Sequence, residues 1–72
     1  MLEHLRGLRE DRDLSQTQMA ELLKVHQTTY SGYELESVNI PNAILRQLAL
    51  FFDTSVDYIL DLTDEKKPYS RK

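Results

Sequence analysis

The stretch that decides the fold is QTQMAELLKVHQTTYSGYEL, which occupies residues 16–35 of the 72-residue chain. Its apolar residues recur at the three- and four-residue spacing of a helix over residues 16–23. A three-residue turn, Lys24 to His26, leads to another short helix from Gln27 to about Glu34. Two short helices joined by so tight a turn predict a helix-turn-helix.

Local signals at the beginning and on the inner side of these helices support the motif. Ser15 and Gln18 are three residues apart just before the first apolar residues, which is the spacing of a capping box. Ala20 is small enough to let the two helices cross closely. The side chains predicted to fill the space beneath them are Met19, Leu23, Val25, Tyr30 and Tyr33. We interpret the two tyrosines as core residues rather than as platforms for base stacking.

The outer side of the helix that begins at Gln27 is left with Gln27, Thr28, Ser31 and Gly32, none of which is negatively charged. A glutamine amide can make a bidentate contact with adenine, and a threonine can bond to a base or pack against the thymine methyl group. The face therefore suits the major groove of DNA. Solvated helix residues of no particular function have the same composition, so that alternative stays open at this point.

The rest of the chain predicts an all-α, compact five-helix bundle that contains the helix-turn-helix. The predicted helices cover residues 2–12, 16–23 and 27–34, a segment that opens at Pro41 or Asn42 and continues to about Phe52, and a last helix from Val56, capped by Ser55, to about Leu60. We assign residues 1–64 to one domain. Residues 65–72 form a basic C-terminal tail that we expect to be flexible.

The charge of the chain is unfavourable for a nucleic-acid binder as a total but favourable in its distribution. The formal net charge is −3, whereas affinity for phosphates comes from Lys and Arg. Residues 22–33 and 37–52 nevertheless contain no Asp or Glu. The segments that would face DNA are therefore poor in acids.

Several classes of function lack support in the sequence. His4 and His26 have no companion at metal-ligand spacing, and cysteine is absent, so we predict no metal site. No nucleophile elbow or Gly-rich phosphate loop occurs. We therefore expect that the chain is not an enzyme and that it binds neither a cofactor nor a small-molecule ligand. The N-terminus lacks the apolar segment of a signal peptide, and the longest apolar run is too short for a bilayer. We therefore expect a cytoplasmic protein without a membrane partner.

The C-terminal half has more apolar positions than one small core needs. They are Phe51, Phe52, Val56, Tyr58, Leu60 and Leu62. They either all pack within the monomer or leave a hydrophobic patch that forms a symmetric homodimer. We favour the homodimer, with Phe51 and residues 56–62 near its interface.

These motifs together resemble the Xre/Cro/CI-like group of phage-repressor and bacterial regulator domains. The stretches that carry the resemblance are LRGLREDRDLSQ (residues 5–16), MAELL (19–23), YE (33–34), NIP (39–41) and FDTSVDYIL (52–60). The resemblance covers about residues 5–64. It implies the lambda-repressor-like fold and binding to double-stranded DNA as a dimer on a palindromic operator.

The resemblance also implies roles for particular residues. Base contacts are expected from Gln27, Thr28, Ser31 and Gly32, and phosphate contacts from Gln16, Lys24, His26 and Asn39. A buried ion pair is expected between Arg9 and Glu34, joining the first and third helices.

Five positions depart from the family's pattern, among them Gly32, which offers no side chain where many relatives contact a base. Lys24 stands where the turn usually has Gly, and a non-Gly residue in a left-handed turn costs of order 1 kcal/mol. His26 replaces the usual Ser or Thr cap. Glu36 and Val38 replace a Gly and a basic residue of the loop, which removes an expected phosphate contact.

The function expected from the sequence is that of a sequence-specific transcriptional regulator, and more narrowly a repressor that occupies a palindromic operator through the major groove. The alternative is an antitoxin or a protein-interaction module that keeps the fold but binds DNA weakly. The acidic net charge and the missing loop cation favour that alternative.

Overall fold

The computed structural model describes residues 1–67, which form five helices and, within that range, no strand. The helices are α1 (Glu3–Asp11), α2 (Gln16–Leu23), α3 (Gln27–Leu35), α4 (Asn42–Phe51) and α5 (Val56–Ile59). The predicted all-α class is confirmed, and the predicted bounds are within a residue or so of those observed. None of these helices is both long enough and apolar enough to cross a bilayer.

Side-chain caps begin two of the helices, as the sequence predicts. The Ser15 hydroxyl accepts a hydrogen bond from the Gln18 amide (3.0 Å), and the Gln18 side chain accepts one from the Ser15 amide (2.7 Å), which completes the capping box of α2. Ser55 accepts a hydrogen bond from the Tyr58 amide at the start of α5. Helix α4 differs, because Asn42 is already its first residue and Pro41 precedes it without a side-chain cap.

Each of the five helices in the described part of the chain is followed by a non-glycine residue in the left-handed region. These residues are Asp13 (φ 56°), Lys24 (φ 58°), Glu36 (φ 63°), Asp53 (φ 51°) and Asp61 (φ 60°). The backbone hydrogen bonds at each end follow the Schellman pattern; after α2, for example, Lys24 N–H donates to Glu21 O and Val25 N–H to Ala20 O. Asp adopts this conformation more readily than Lys or Glu, which lack a short polar side chain.

The core gathers apolar side chains from all five helices and from Leu2 and Phe52 beside them. Its buried members are Leu2, Leu5, Leu8, Met19, Ala20, Leu23, Tyr30, Tyr33, Leu45, Leu48, Ala49, Phe52 and Ile59. The inward positions predicted for Met19, Leu23, Tyr30 and Tyr33 are confirmed, while Val25 is only half-buried. Ala20 is 3% exposed, so the side chain predicted to permit a close crossing of α2 and α3 is indeed enclosed.

The N-terminal end of α1 is fastened to the segment after α5. The Asp61 carboxylate accepts hydrogen bonds from the amides of Glu3 (3.0 Å) and His4 (3.1 Å). The His4 ring stacks on Tyr58 with 3.9 Å between ring centroids. At the same end of the molecule, Leu2 N–H donates to Glu34 O (2.7 Å), which fixes the end of α3 against α1.

The described part of the predicted tail contacts the connection between α4 and α5. The hydroxyl of buried Thr54 donates a hydrogen bond to the carbonyl of Lys66. The remainder of the predicted flexible tail, residues 68–72, lies outside the described residues.

Candidate nucleic-acid interface

The turn between α2 and α3 fixes how the two helices meet. Lys24 adopts φ 58° and ψ 43°, the left-handed conformation in which the family usually has glycine. Val25 is half-buried and packs against the core, which anchors the middle of the turn. His26 precedes α3 in an extended conformation, and its side chain caps no amide of that helix. Lys24 and His26 are both exposed.

Helix α3 separates an outer face from a buried one. Gln27 and Thr28 are exposed and Ser31 is half-buried, which places these predicted base-contact residues on one side. The inner side consists of Tyr30, Tyr33 and Glu34, with exposures of 0%, 3% and 1%. Glu34 is the only charged residue between Gln27 and Leu35, so no charge of either sign lies on the outer face of α3.

The structure corrects the expectation that Gly32 lies open on that outer face. Gly32 is buried, because the loop after α3 folds back over it. The amides of Ser37 and Val38 both donate to the Gly32 carbonyl, at 3.0 and 3.2 Å. A Cβ atom added to Gly32 would lie 2.6 Å from Cγ2 of Val38. The Val38 side chain thus occupies the space that a side chain at Gly32 would fill.

The Glu34 carboxylate is the centre of a polar network that joins α1, α2 and α3. Arg9 Nε–H donates to Glu34 Oε2 (2.7 Å), and Arg9 Nη2–H donates to Oε1 (3.3 Å). Gln16 Nε2–H also donates to Oε1 (3.2 Å). Arg9 makes a further bond from Nη1 to the Leu14 carbonyl (2.8 Å). The structure therefore contains the ion pair that the resemblance implied, together with a third member, Gln16, that it did not.

This environment changes the acidity of Glu34 and Tyr30. Burial alone raises the pKa of a carboxyl, but the hydrogen bonds and the charge of Arg9 outweigh it, so the pKa of Glu34 lies below its ordinary value of 4.5. Burial raises the pKa of the Tyr30 hydroxyl, and the nearby carboxylate raises it further. Within residues 1–67, no acceptor meets the geometry of a hydrogen bond with that hydroxyl.

The loop after α3 contributes the remaining predicted contact residue and one acid. Asn39 is exposed, as a phosphate contact requires. Glu36 is also exposed, and its carboxylate lies 2.9 Å from the α-amino group of Met1. The positive charge of the amino group partly balances the negative charge that Glu36 adds to this loop.

Comparison with known proteins agrees with this geometry. The family model described as "Helix-turn-helix" matches residues 5–59, from α1 to the last residue of α5. The chain belongs to the Xre/Cro-like helix-turn-helix family. Among curated proteins, it is 44% identical over 66 residues to the uncharacterized HTH-type transcriptional regulator YobD of Bacillus subtilis (strain 168). That alignment covers 92% of this chain and 59% of the relative, so the chain spans about three-fifths of its relative's length. No solved structure matches the chain significantly.

Two residues of this helix-turn-helix domain join the candidate interface without having been predicted there. Leu35 is 54% exposed, and it follows Thr28 by seven residues, so the helical spacing would have identified its side of α3. Val38 is 41% exposed and covers Gly32. No local pattern signals that position, because it depends on how the loop returns to the helix.

No metal site emerges beside these residues. Among residues 1–67 there is no group of three or more His, Cys, Asp or Glu side chains that could hold a metal ion. His4, which the sequence singles out, lies against the segment around the end of α5, where its ring contacts Tyr58, Asp61 and Asp64.

Proposed function

We propose that this chain binds double-stranded DNA by placing α3 in the major groove and that it regulates transcription in this way. The observation that carries the proposal is the absence of charge on the outer face of α3. The single carboxylate of the helix, Glu34, is turned inward and neutralised by Arg9. An outward carboxylate would instead be repelled by the phosphates on either side of the groove.

Base recognition would come from Gln27, Thr28 and Ser31. Gln27 and Thr28 are exposed in the first turn of α3, the part of a recognition helix that contacts base edges most directly. A glutamine amide pairs with adenine N6 and N7, and threonine and serine hydroxyls bond to several bases. Gly32 would contribute no side-chain contact, because it has no side chain and Val38 occupies the space beside it.

Phosphate contacts would come from Gln16, Lys24, His26 and Asn39. Gln16 uses one amide N–H on Glu34, and its amide carries a second N–H that would donate to a phosphate oxygen. The bond to Glu34 would hold the side chain in place before DNA arrives. Lys24 is the only Lys or Arg between Arg12 and Arg46, so the electrostatic contribution from this surface is small.

We further propose that the chain acts as a homodimer on a palindromic operator, with half-sites about one helical turn apart, and represses by occupying it. Of the apolar residues in the predicted patch, Leu62 is 71% exposed, whereas Phe52 is buried and Val56, Tyr58 and Leu60 are half-buried. Leu50 on α4, outside the predicted patch, is also exposed. Phe51 is half-buried, with the Arg12 guanidinium 4.9 Å from its ring centroid. Sedimentation equilibrium of a Leu62→Lys variant should show a weaker dimer, whereas Leu22→Lys on α2 should not.

The name of the relative supports the regulatory part of the proposal, because the Bacillus protein is called a transcriptional regulator. This chain spans 59% of that relative, so the proposal is confined to the region that the two share. The proposed role requires no catalysis and no cofactor, and it places the protein in the cytoplasm with the DNA.

The test is a selection from a pool of random duplex DNA at low salt, followed by affinity measurement on the enriched site. Gln27→Ala should weaken binding to that site by about 1–3 kcal/mol and relax the preference at one base pair of each half-site. Gln47→Ala, which removes an exposed glutamine from α4, is the matched control and should leave both properties unchanged. Equal affinity and preference for Gln27→Ala and the wild type would refute the assignment of Gln27.

The selection also separates the proposed function from its alternative. If folded protein enriches no sequence at all, DNA recognition is refuted and a protein-interaction module, such as an antitoxin, is favoured. The acidic net charge of −3 is the observation that keeps this second candidate in view.

A further inference from the structure

We propose that Val38, a residue of the loop after α3, reads a thymine by packing against its C5-methyl group in the major groove. The proposal rests on the DNA-binding function inferred above and adds a specificity-determining residue to it. It assigns an apolar base contact to a position in the loop, outside the recognition helix itself.

The position of the Val38 side chain relative to α3 is the first step. Gly32 follows Thr28 by four residues and precedes Leu35 by three, and both of these neighbours are exposed, so the Cα–Cβ direction at Gly32 points to the outer face. A Cβ built there would lie 2.6 Å from Val38 Cγ2 and 3.1 Å from Val38 Cβ. The valine methyl therefore stands where a recognition-helix side chain would otherwise project.

The second step is that this methyl group is held in place and still open to a ligand. The amides of Ser37 and Val38 share the Gly32 carbonyl as acceptor, which closes the loop onto the helix. Valine has few rotamers, so its methyl groups lose little freedom on binding. Val38 nevertheless remains 41% exposed, with one side against Gly32 and the other available.

The chemistry of the groove identifies what such a group can recognise. Valine neither donates nor accepts a hydrogen bond from its side chain, so it cannot read the polar edges of bases. In the major groove the thymine C5-methyl is the distinctive apolar group, and aliphatic side chains select for it. If Val38 contacted the sugar-phosphate backbone instead, removal of the thymine methyl group would not change the affinity. The two positions of Val38, against thymine or against the backbone, can therefore be distinguished.

The experiment uses the site enriched by the selection described above. Each thymine of a half-site is replaced in turn by deoxyuridine, which removes only the methyl group, and dissociation constants are measured by fluorescence anisotropy for the full chain. For the wild type, we expect one thymine per half-site at which the replacement weakens binding about fourfold per contact, the equivalent of about 0.8 kcal/mol for one buried methyl group. For Val38→Ala, the same replacement should have no effect.

One matched variant controls for the loss of an exposed aliphatic side chain, and a second tests the other apolar residue of the candidate interface. Leu22→Ala, at 40% exposure on α2, should retain the full sensitivity to the methyl group. Leu35→Ala tests the neighbouring apolar residue of α3 and should also retain it. Circular dichroism and thermal unfolding of each variant establish that the domain is folded before binding is compared.

A third variant approaches the same contact from the helix. Gly32→Ala puts a Cβ where the Val38 methyl now lies, so the valine must move by several tenths of an ångström or more. Sensitivity to the methyl group should therefore fall in Gly32→Ala even though Val38 is still present.

The outcomes separate the role of Val38 from the proposed function. Sensitivity that persists in Val38→Ala, is lost only in Leu35→Ala, or is absent from every thymine in the wild type overturns the role of Val38 while leaving DNA binding intact. A selection that enriches no sequence refutes the proposed function itself, and the role of Val38 falls with it.

Discussion

Replacing Glu34 with glutamine tests whether the buried ion pair stabilises the domain in the way its geometry indicates. The side chains of Arg9 and Glu34 are only 12% and 2% exposed, and the carboxylate accepts three N–H bonds, two from Arg9 and one from Gln16. Glutamine keeps the shape but offers one acceptor oxygen and no charge. The Arg9 guanidinium is then left largely buried and uncompensated.

The size of the effect follows from what Arg9 retains. Removing one partner of a buried ion pair typically costs about 3–5 kcal/mol. Arg9 keeps its bond to the Leu14 carbonyl and a little contact with water, so we expect the lower end, about 3 kcal/mol. A domain of this length has a free energy of unfolding of roughly 4–11 kcal/mol, so the loss should be a large share of the total.

Urea denaturation followed by far-ultraviolet circular dichroism measures this loss as a shift of the midpoint. The control lies on the same helix: Arg6 and Glu10 form an exposed pair at 3.5 Å, and Glu10→Gln should cost less than about 0.5 kcal/mol. The double replacement Arg9→Met with Glu34→Leu should cost clearly less than Glu34→Gln alone, because no charge is then left without a partner. A loss below about 1 kcal/mol for Glu34→Gln, or a double variant less stable than the single one, would refute the reasoning.

Four further results are expected. The pKa of Glu34 is lower in the folded state than its ordinary 4.5, so the stability that this carboxylate contributes is present above pH 4.5 and is lost as the pH falls through the lowered pKa. Urea midpoints measured against pH should show this decline in the wild type and less of it in Glu34→Gln. Gly7→Ala should raise the free energy of unfolding by about 1 kcal/mol, since an added Cβ in the middle of α1 meets nothing within 4 Å; an unchanged or lower melting temperature would contradict this. Lys24→Gly should raise it by about 0.5 kcal/mol in the same assay by relieving the left-handed conformation, partly offset by the freedom of glycine in the unfolded chain. The logarithm of DNA affinity should fall only shallowly with that of salt concentration, and a slope that reflects about eight or more phosphates would contradict the small number of cations near α3.

Local sequence signals predict most of the fold because each acts within a few residues. Ser15 and Gln18 define the start of α2 through two reciprocal short-range hydrogen bonds. Ser55 defines the start of α5 through a single short-range hydrogen bond. The inward tyrosines of α3 follow from helical periodicity. The beginning of α4 is less well determined, because Pro41 and Asn42 both suit a first turn and packing decides between them.

The candidate site is predictable only where it depends on helix periodicity. Gln27 and Thr28 are exposed as their spacing indicates. The burial of Gly32 depends instead on the left-handed Glu36 and the return of Val38, a tertiary contact that no spacing within α3 signals. The pairing of Arg9 with Glu34 spans 25 residues and came from the family resemblance alone, as composition and periodicity carry no information about it.

The acidic residues of the chain explain how a net charge of −3 is compatible with a DNA-facing helix. Several of them serve the fold: Asp61 accepts hydrogen bonds from the first amides of α1, and Asp13 and Asp53 adopt the left-handed conformation that ends α1 and α4. The Glu34 carboxylate pairs with Arg9 and accepts the hydrogen bond that positions Gln16. Total charge is therefore a poor guide to the potential at α3, because the one carboxylate of that helix is buried and paired with Arg9. The same bond that keeps this charge from the interface also orients a donor proposed for the phosphate backbone, so stability and DNA binding should decline together when Glu34 is replaced.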